Sequence, residues 1–146
     1  MFRSIVVGTD GSETARRAVE TAIELARGLG AHIDVVCAYE PVPSARPRAE
    51  VRPAPPDREW IVNPREDADA TLREAAEAIA SAGVAVRAFA REGDAADAIL
   101  DVAEERGADL IVVGNRGRTG ARRFLLGSVP NRVSHHAPCA VLIVRT

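Results

Sequence analysis

The chain has no lysine, few aromatic residues and only two cysteines. All 19 basic residues among its 146 are arginine. The absence of lysine excludes a Walker A phosphate loop, the aspartyl-phosphate switch of receiver domains and Schiff-base chemistry, because each of them depends on a lysine. Phe, Trp and Tyr make up only 3% of the residues. We therefore expect a core of alanine, valine, isoleucine and leucine.

Charge and hydropathy exclude further classes. The net charge of −2 argues against a dedicated binder of nucleic acids or membrane surfaces. No apolar run approaches the roughly 18 residues of a membrane-spanning helix, and residues 1–8 begin a strand rather than a signal peptide. Cys37 and Cys139 lie in or beside apolar strand candidates, which predicts buried free thiols. Together these features predict a cytoplasmic protein of one domain, residues 1–146.

The apolar pattern predicts strands that alternate with helices. Strands are predicted at residues 2–8, 32–39, 84–90, 110–113 and 140–144. Helices are predicted after the N-cap Ser12, from Asn63-Pro64, after the N-cap Asp94 and over residues 129–135. Gly28 and Gly30 are expected to end the first helix, with Leu29 among its core residues. This alternation predicts an α/β fold, a doubly wound, Rossmann-like parallel sheet of five strands in the order 3-2-1-4-5, with helices on both faces.

Residues 41–64 have a different composition. They contain seven of the nine prolines, which is typical of neither a helix nor a central strand. The segment is predicted to be a long connection, either a flap or a partner surface. Trp60, the only tryptophan, lies in this segment. Two roles remain open for its side chain, either to cover a helix face or edge or to form part of a lid or interface.

Two predicted strands end in unusual loops. The first is followed by Thr9-Asp10, and the fourth by the pattern Gly114-x2-Gly117-x9-Gly127-Ser128. In the predicted strand order these two ends are neighbours at the switch point where such folds bind ligands. Glycines let a backbone approach a ligand closely, and N–H groups at a helix start attract anions. The pattern therefore predicts a phosphate-binding loop.

The chain resembles the universal stress protein family over essentially its whole length. The resemblance rests on residues 5–12 (IVVGTDGS), on the glycine pattern and on residues 136–144 (HAPCAVLIV). Because every fixed position of the pattern is present, the chain is similar to the ATP-binding branch. The resemblance implies ATP as the ligand, with Mg²⁺ or Mn²⁺ held only through the phosphates.

The resemblance also implies the site residues. The adenosine part would lie against Gly8, Thr9 and Asp10, with Ala38 and Val113 on the base. The phosphates and ribose would lie on Gly114, Gly117, Gly127, Ser128 and Val129. A carboxylate at Asp10 would repel phosphate but can accept hydrogen bonds from an adenine amino group or from ribose hydroxyls. The alternatives are that Asp10 only stabilises the turn before Ser12 and that Gly117 and Gly127 are plain loop glycines.

Four arginines lie within the glycine pattern, at positions 116, 118, 122 and 123. A solvated charge run is the default explanation. The alternative is that one or two of them, Arg118 among them, reach the terminal phosphates as bidentate donors. The three histidines lack metal-ligand spacing with one another and with the cysteines, and His135 and His136 suit a helix C-terminus. No metal site is therefore predicted on the protein itself.

Several functions remain open. We expect a nucleotide-dependent stress or regulatory protein with at most slow ATP hydrolysis or autophosphorylation, because the sequence places no nucleophile–base pair near the phosphate loop. Cyclic AMP or another adenine nucleotide fits the same features. An adenylating ATP pyrophosphatase would need a Ser-Gly-Gly-x-Asp-Ser loop after the first strand, which this chain lacks. A flavodoxin-like carrier would need phosphate donors in its first loop and aromatic residues to stack on the flavin, whereas this chain has Asp10 in that loop and few aromatic residues. A scaffold that binds partners without nucleotide is the last alternative.

The final strand is predicted to pair with another chain. Residues 140–144 are rich in β-branched residues and lack proline and charge up to Arg145, and such sheet edges associate readily. The resemblance implies the same, since relatives dimerise through this strand. We expect an antiparallel homodimer through residues 140–145.

Overall fold

The computed structural model describes residues 2–41, 64–116 and 126–146. Strands and helices alternate along these residues: β1 Ser4–Gly8, α1 Glu13–Leu29, β2 His32–Tyr39, α2 Pro64–Ser81, β3 Val86–Glu92, α3 Ala95–Arg106, β4 Leu110–Gly114, α4 Ser128–His136 and β5 Ala140–Val144. The predictions for the proline-rich connection with Trp60, for Gly117 and Arg118, and for Arg122 and Arg123 lie outside the described residues.

The five strands form one parallel sheet in the order β3-β2-β1-β4-β5. The predicted order is therefore confirmed. Strand β1 pairs with β2 on one side and with β4 on the other, with Val7 opposite Val112. Because parallel strands end at the same edge, the loops after Gly8 and Gly114 are neighbours.

Helices cover both faces of this sheet. On β1, Ile5 and Val7 pack in a cluster with α1 and α2, whereas Val6 packs in a second cluster with α3 and α4. Alternate residues of a strand point to opposite faces, so this division confirms the predicted doubly wound architecture. The largest fully buried side chains are isoleucines and valines, together with the carboxylate of Asp34. The aromatic-poor core is therefore also as predicted.

Helices α1 and α3 begin and end at the expected kinds of residue. The Ser12 hydroxyl accepts a hydrogen bond from the Ala15 N–H at 3.2 Å, and the Asp94 carboxylate accepts one from the Asp97 N–H at 3.1 Å. Helix α1 ends at Gly30, whose φ of 68° favours glycine. The prediction that Gly28 also ends the helix is wrong, because Gly28 lies within it. Leu29 is also not a core residue, since it is 43% exposed in the last turn.

Strand boundaries differ from the predictions in β1, β3 and β4, and β4 ends at Gly114 rather than at residue 113. Strand β1 begins at Ser4 rather than at residue 2, and the N–H groups of Arg3 and Ser4 donate to the Asp109 carboxylate at 2.9 and 3.1 Å. Strand β3 runs from Val86 to Glu92 rather than over residues 84–90. Its start is later because the Val84 N–H bonds back to the Ile79 carbonyl at 3.3 Å, which places Val84 in the turn that ends α2.

The two cysteines differ in their burial. Cys37 is buried in β2, as predicted, whereas Cys139, just before β5, is only partly buried. Burial and the nearby Asp109 raise the pKa of the Cys139 thiol, because both disfavour the thiolate. The thiol is therefore protonated at neutral pH.

Candidate functional site

The loop after β1 is a tight turn held by its own polar side chains. The Thr9 N–H donates to the Val36 carbonyl of β2 at 2.9 Å, and the Thr9 hydroxyl accepts from the Gly11 N–H at 3.2 Å. The Asp10 carboxylate accepts from the Ser12 N–H at 2.9 Å. Asp10 thus has the turn-stabilising contact suggested by the sequence, and its negative charge is fixed at the end of β1.

Asn115 follows β4 directly, and Gly127 directly precedes helix α4. Asn115 is buried, and its N–H donates to the Val144 carbonyl at 3.0 Å. The Asn115 carbonyl accepts from the Gly127 N–H at 2.8 Å. This bond joins Gly127 to Asn115, so the start of α4 lies directly beside the end of β4.

All four helices begin at this edge, because each follows a strand of the parallel sheet. The N-cap residue is described for α1, α3 and α4, and among these three only α4 begins without a side-chain cap. Ser12 caps α1 and Asp94 caps α3, but the N-cap of α4 is Gly127, which has no side chain. Helix geometry leaves the N–H groups of Ser128 and Val129 without intrahelical acceptors. The start of α4 is therefore the one of the three suited to an external anion.

Two glycines at the strand ends permit close packing of helices. A Cβ at Gly8 would overlap the Ile99 side chain of α3, and a Cβ at Gly114 would lie 2.5 Å from Thr14 Cγ2 and 3.1 Å from the Thr14 carbonyl oxygen of α1. Gly114 was predicted to be a loop position that lets a ligand approach. The structure shows a second reason for glycine at this position, because Thr14 leaves no room for a Cβ whether or not a ligand is bound.

A cleft lies between these loops and encloses about 540 Å³, part of which is open to solvent. The walls include the apolar side chains of Val36, Ala38, Ile99 and Val113, and the polar lining comes from Thr9, Asp10 and Arg116. The acidic group thus follows β1 and the basic group follows β4.

The structure brings together most of the predicted site residues. Those that line the cleft are Gly8, Thr9, Asp10, Ala38, Val113, Gly114 and Val129. Gly127 and Ser128 lie at the start of α4 beside the cleft but do not line it.

Some lining residues were missed by the sequence interpretation, namely Ala15, Val36, Ala95, Ile99 and Pro130. Arg116 was considered only as one of the four arginines of the glycine pattern. Ala95 and Ile99 come from α3, whose sequence has no ligand-binding motif. The available signal was topological, because a helix that follows a strand of a parallel sheet begins at the edge where the strands end, and the right-handed crossover decides which face it covers.

Metal ligands and membrane spans were sought in the described ranges. Residues 2–41, 64–116 and 126–146 contain no group of three or more His, Cys, Asp or Glu side chains that could hold a metal ion. None of the helices in that part of the chain is both long enough and apolar enough to cross a membrane.

The sheet order defines a Rossmann-like α/β protein with a cleft at its switch point. The sequence model of the Universal stress protein family matches residues 1–145, and the chain belongs to that family. A Thermus aquaticus relative, "Universal stress protein in QAH/OAS sulfhydrylase 3'region", is 39% identical, with 99% of this chain and 100% of the relative covered.

Solved structures are similar over the same length. A universal stress protein in complex with cAMP is 32% identical, with a TM-score of 0.74 and with 99% of this chain and 97% of that chain covered. A universal stress protein from Archaeoglobus fulgidus in complex with dAMP is 27% identical, with a TM-score of 0.67 and 97% of both chains covered. The family membership predicted from the sequence is thus confirmed.

Proposed function

We propose that the chain binds an adenine nucleotide, with ATP as its ligand, in the cleft between the ends of β1 and β4, and acts as a nucleotide-dependent stress or regulatory protein. The observation that carries this proposal is the uncapped start of α4 beside a cleft with apolar walls. Such a helix start suits phosphate, whereas the apolar walls suit a base. The two solved relatives in complex with cAMP and dAMP support the adenine class.

The charges of the cleft orient the ligand. Asp10 would repel phosphates from the β1 side, whereas Arg116 and the start of α4 attract them. The phosphates therefore go toward Gly114, Gly127, Ser128 and Val129, and the adenosine toward Gly8, Thr9 and Asp10. Ala38 and Val113 line the cleft with Val36 and Ile99, which gives a small apolar surface for the base.

Gly117 and Arg118 belong to the proposal through the glycine pattern alone. Mg²⁺ would be held through the phosphates, because the carboxylate that lines the cleft, Asp10, lies on the adenosine side. An ATP-specific ligand follows from the resemblance to the ATP-binding branch. The second candidate is cyclic AMP, which is favoured by the solved relative that carries it.

The first experiment identifies the ligand. Purified protein is denatured, any released nucleotide is identified by mass, and ATP and cyclic AMP are titrated into the emptied protein. Ala38→Leu, which fills the cleft, should abolish binding, whereas Ala88→Leu, at an exposed position of β3, should leave it intact. Equal binding by the two variants would place the site elsewhere. No binding by the wild type would favour the scaffold alternative.

Arg116 is the described arginine of the glycine pattern that lines the cleft. If it contacts the terminal phosphates, Arg116→Ala should weaken ATP binding about tenfold, the typical effect of one charge-assisted hydrogen bond, and should leave adenosine binding unchanged. The exposed Arg73 of α2 provides the control substitution, Arg73→Ala. An equal loss in both variants would mean that Arg116 belongs to a solvated charge run.

We also propose that the chain forms a homodimer through β5, residues Ala140–Arg145. The two edge strands of the sheet differ in charge. Strand β3 carries Arg87, Arg91 and Glu92, whereas β5 consists only of apolar residues, with Leu142 37% exposed. Charged side chains protect an edge from pairing, so β5 is the edge suited to a second copy.

A further inference from the structure

Arg132 of α4 joins two carboxylates of α3. Its Nη1 donates to Asp94 Oδ2 at 2.7 Å, and its Nη2 donates to Asp97 Oδ1 at 2.7 Å. Both acids lie at the beginning of α3, where Asp94 is also the N-cap. We refer to these three residues as the Arg132 fork.

The fork lies between two elements that form the walls of the cleft. Ala95 and Ile99 of α3 and Val129 and Pro130 of α4 line the cleft. Asp94 directly precedes Ala95, and Arg132 follows Pro130 by two residues. The fork therefore links the start of α3 to the middle of α4, whose first turn lies beside the cleft.

The exposure of the fork limits what it contributes to stability. The three side chains are about half exposed, at 46% for Arg132, 48% for Asp94 and 57% for Asp97. Ion pairs at that exposure contribute little to folding and are screened by salt. The two short bonds from one planar guanidinium nevertheless fix its direction.

We infer that the Arg132 fork positions helix α4 for ligand binding and thereby sets the affinity of the cleft for nucleotide. This inference rests on the proposed function, because it assigns the phosphates to the start of α4. Arg132 acts through α4 and not by contact with the ligand. Loss of the fork would let α4 move away from α3 and would separate the phosphate-binding N–H groups from the apolar wall.

The alternative is that Arg132 leaves the acids and contacts a phosphate directly. The two roles predict opposite effects of Asp97→Asn. If Arg132 contacts the ligand, removal of a nearby negative charge frees the arginine and strengthens binding of an anion. If the fork positions α4, the same substitution weakens binding, because one of its two bonds to α3 loses its charge.

The experiment titrates ATP into the wild type, Arg132→Gln, Asp97→Asn and the double variant at low and at high salt. The control is Arg91→Gln, which breaks the bidentate pair Arg91–Glu105, with bonds of 2.9 and 2.8 Å. That pair also involves α3, but at the end of the helix away from Asp94. Urea unfolding of each variant measures its stability.

We expect Arg132→Gln and Asp97→Asn each to weaken binding roughly 3- to 10-fold, and the double variant to be no weaker than Arg132→Gln, because contacting residues act as a unit. High salt should reduce the difference from the wild type. Arg91→Gln should bind as the wild type does, with a change in stability similar to that of Arg132→Gln.

Three results would overturn the inference. Stronger binding by Asp97→Asn would assign Arg132 to direct ligand contact. Wild-type affinity in Arg132→Gln would show that the fork does not position α4. Absence of nucleotide binding in the wild type would remove the proposed function and the inference with it. This outcome is separate from failure of the inference alone, because it is seen in the wild type without any variant.

Discussion

Individual glycines in this chain have different surroundings, and these decide how an added side chain would change the free energy of unfolding. A Cβ at Gly114 meets the backbone and side chain of Thr14, whereas a Cβ at Gly28 meets no described atom within 4 Å. Gly28 lies within α1 and is not among the glycines with positive φ. The same substitution is therefore expected to have opposite effects at the two positions.

Gly28→Ala should raise the free energy of unfolding by about 0.5–1 kcal/mol, because alanine loses less conformational freedom in a helix than glycine does. Gly114→Ala should lower it by about 1–3 kcal/mol, because Thr14 and α1 must move. Urea unfolding of the two variants and the wild type measures both changes. A Gly114→Ala variant as stable as the wild type would contradict the packing explanation.

The glycine pattern illustrates what one residue's sequence neighbourhood can predict. The spacing identified Gly114 as part of a site at the end of β4, and the cleft lies there. The spacing gives no indication of Thr14, which is distant in sequence and lies beside Gly114 only because of how α1 packs on the sheet. A binding test based on Gly114→Val would therefore mix loss of packing with loss of affinity, and Ala38→Leu is the better probe.

At the scale of elements, periodicity predicted the helices and strands, and tertiary hydrogen bonds determined where they end. The alternation of Ile5, Val6 and Val7 between two faces follows from the period of a strand. The later end of β3 does not follow from that period, because it depends on a hydrogen bond from the Gly93 N–H to the Tyr39 carbonyl at 2.8 Å. Such a partner becomes known only when the strand order and register are known.

The ion pair between β3 and α3 gives an expected pH dependence. The Arg91 guanidinium holds the pKa of Glu105 below its ordinary value of 4.5. Because this pKa is lower in the folded state, the pair stabilises the fold above pH 4.5, and the contribution is lost as the pH falls through the folded-state pKa. The wild type should thus lose more stability than Glu105→Gln between pH 6 and pH 3.

Thermal unfolding of both proteins over this pH range measures the difference, which should be small because Glu105 is exposed. Glu77→Gln, at an exposed position of α2, is the matched control. A wild type and a Glu105→Gln variant with the same acid-induced loss would show that the pair contributes nothing to stability.

At the scale of the whole molecule, the strand order could be predicted and the far walls of the cleft could not. The alternation of strands and helices restricts the topology to a few arrangements, and the order 3-2-1-4-5 then brings Gly8 and Gly114 together. Ile99 and Arg132 became visible only with the packing of α3 against β1 and of α4 against α3. Their positions depend on helix packing angles, for which the sequence has no local pattern.

The edges of the sheet provide the last prediction, the homodimer through β5. Leu142→Arg places a charge on the apolar edge and should convert a dimer into a monomer, because a buried like-charge pair would form across the symmetric interface. Ala88→Arg places the same charge on the exposed edge of β3 and should leave the dimer intact.

Sedimentation at micromolar concentration measures the mass of each protein, and the thermal midpoint of each variant controls for folding. Leu142 is 37% exposed, so the monomer itself should tolerate arginine there. A monomeric wild type would contradict the proposed dimer, and dissociation by Ala88→Arg rather than by Leu142→Arg would assign the interface to β3. If Leu142→Arg is monomeric and still binds ATP, the cleft is complete within one chain.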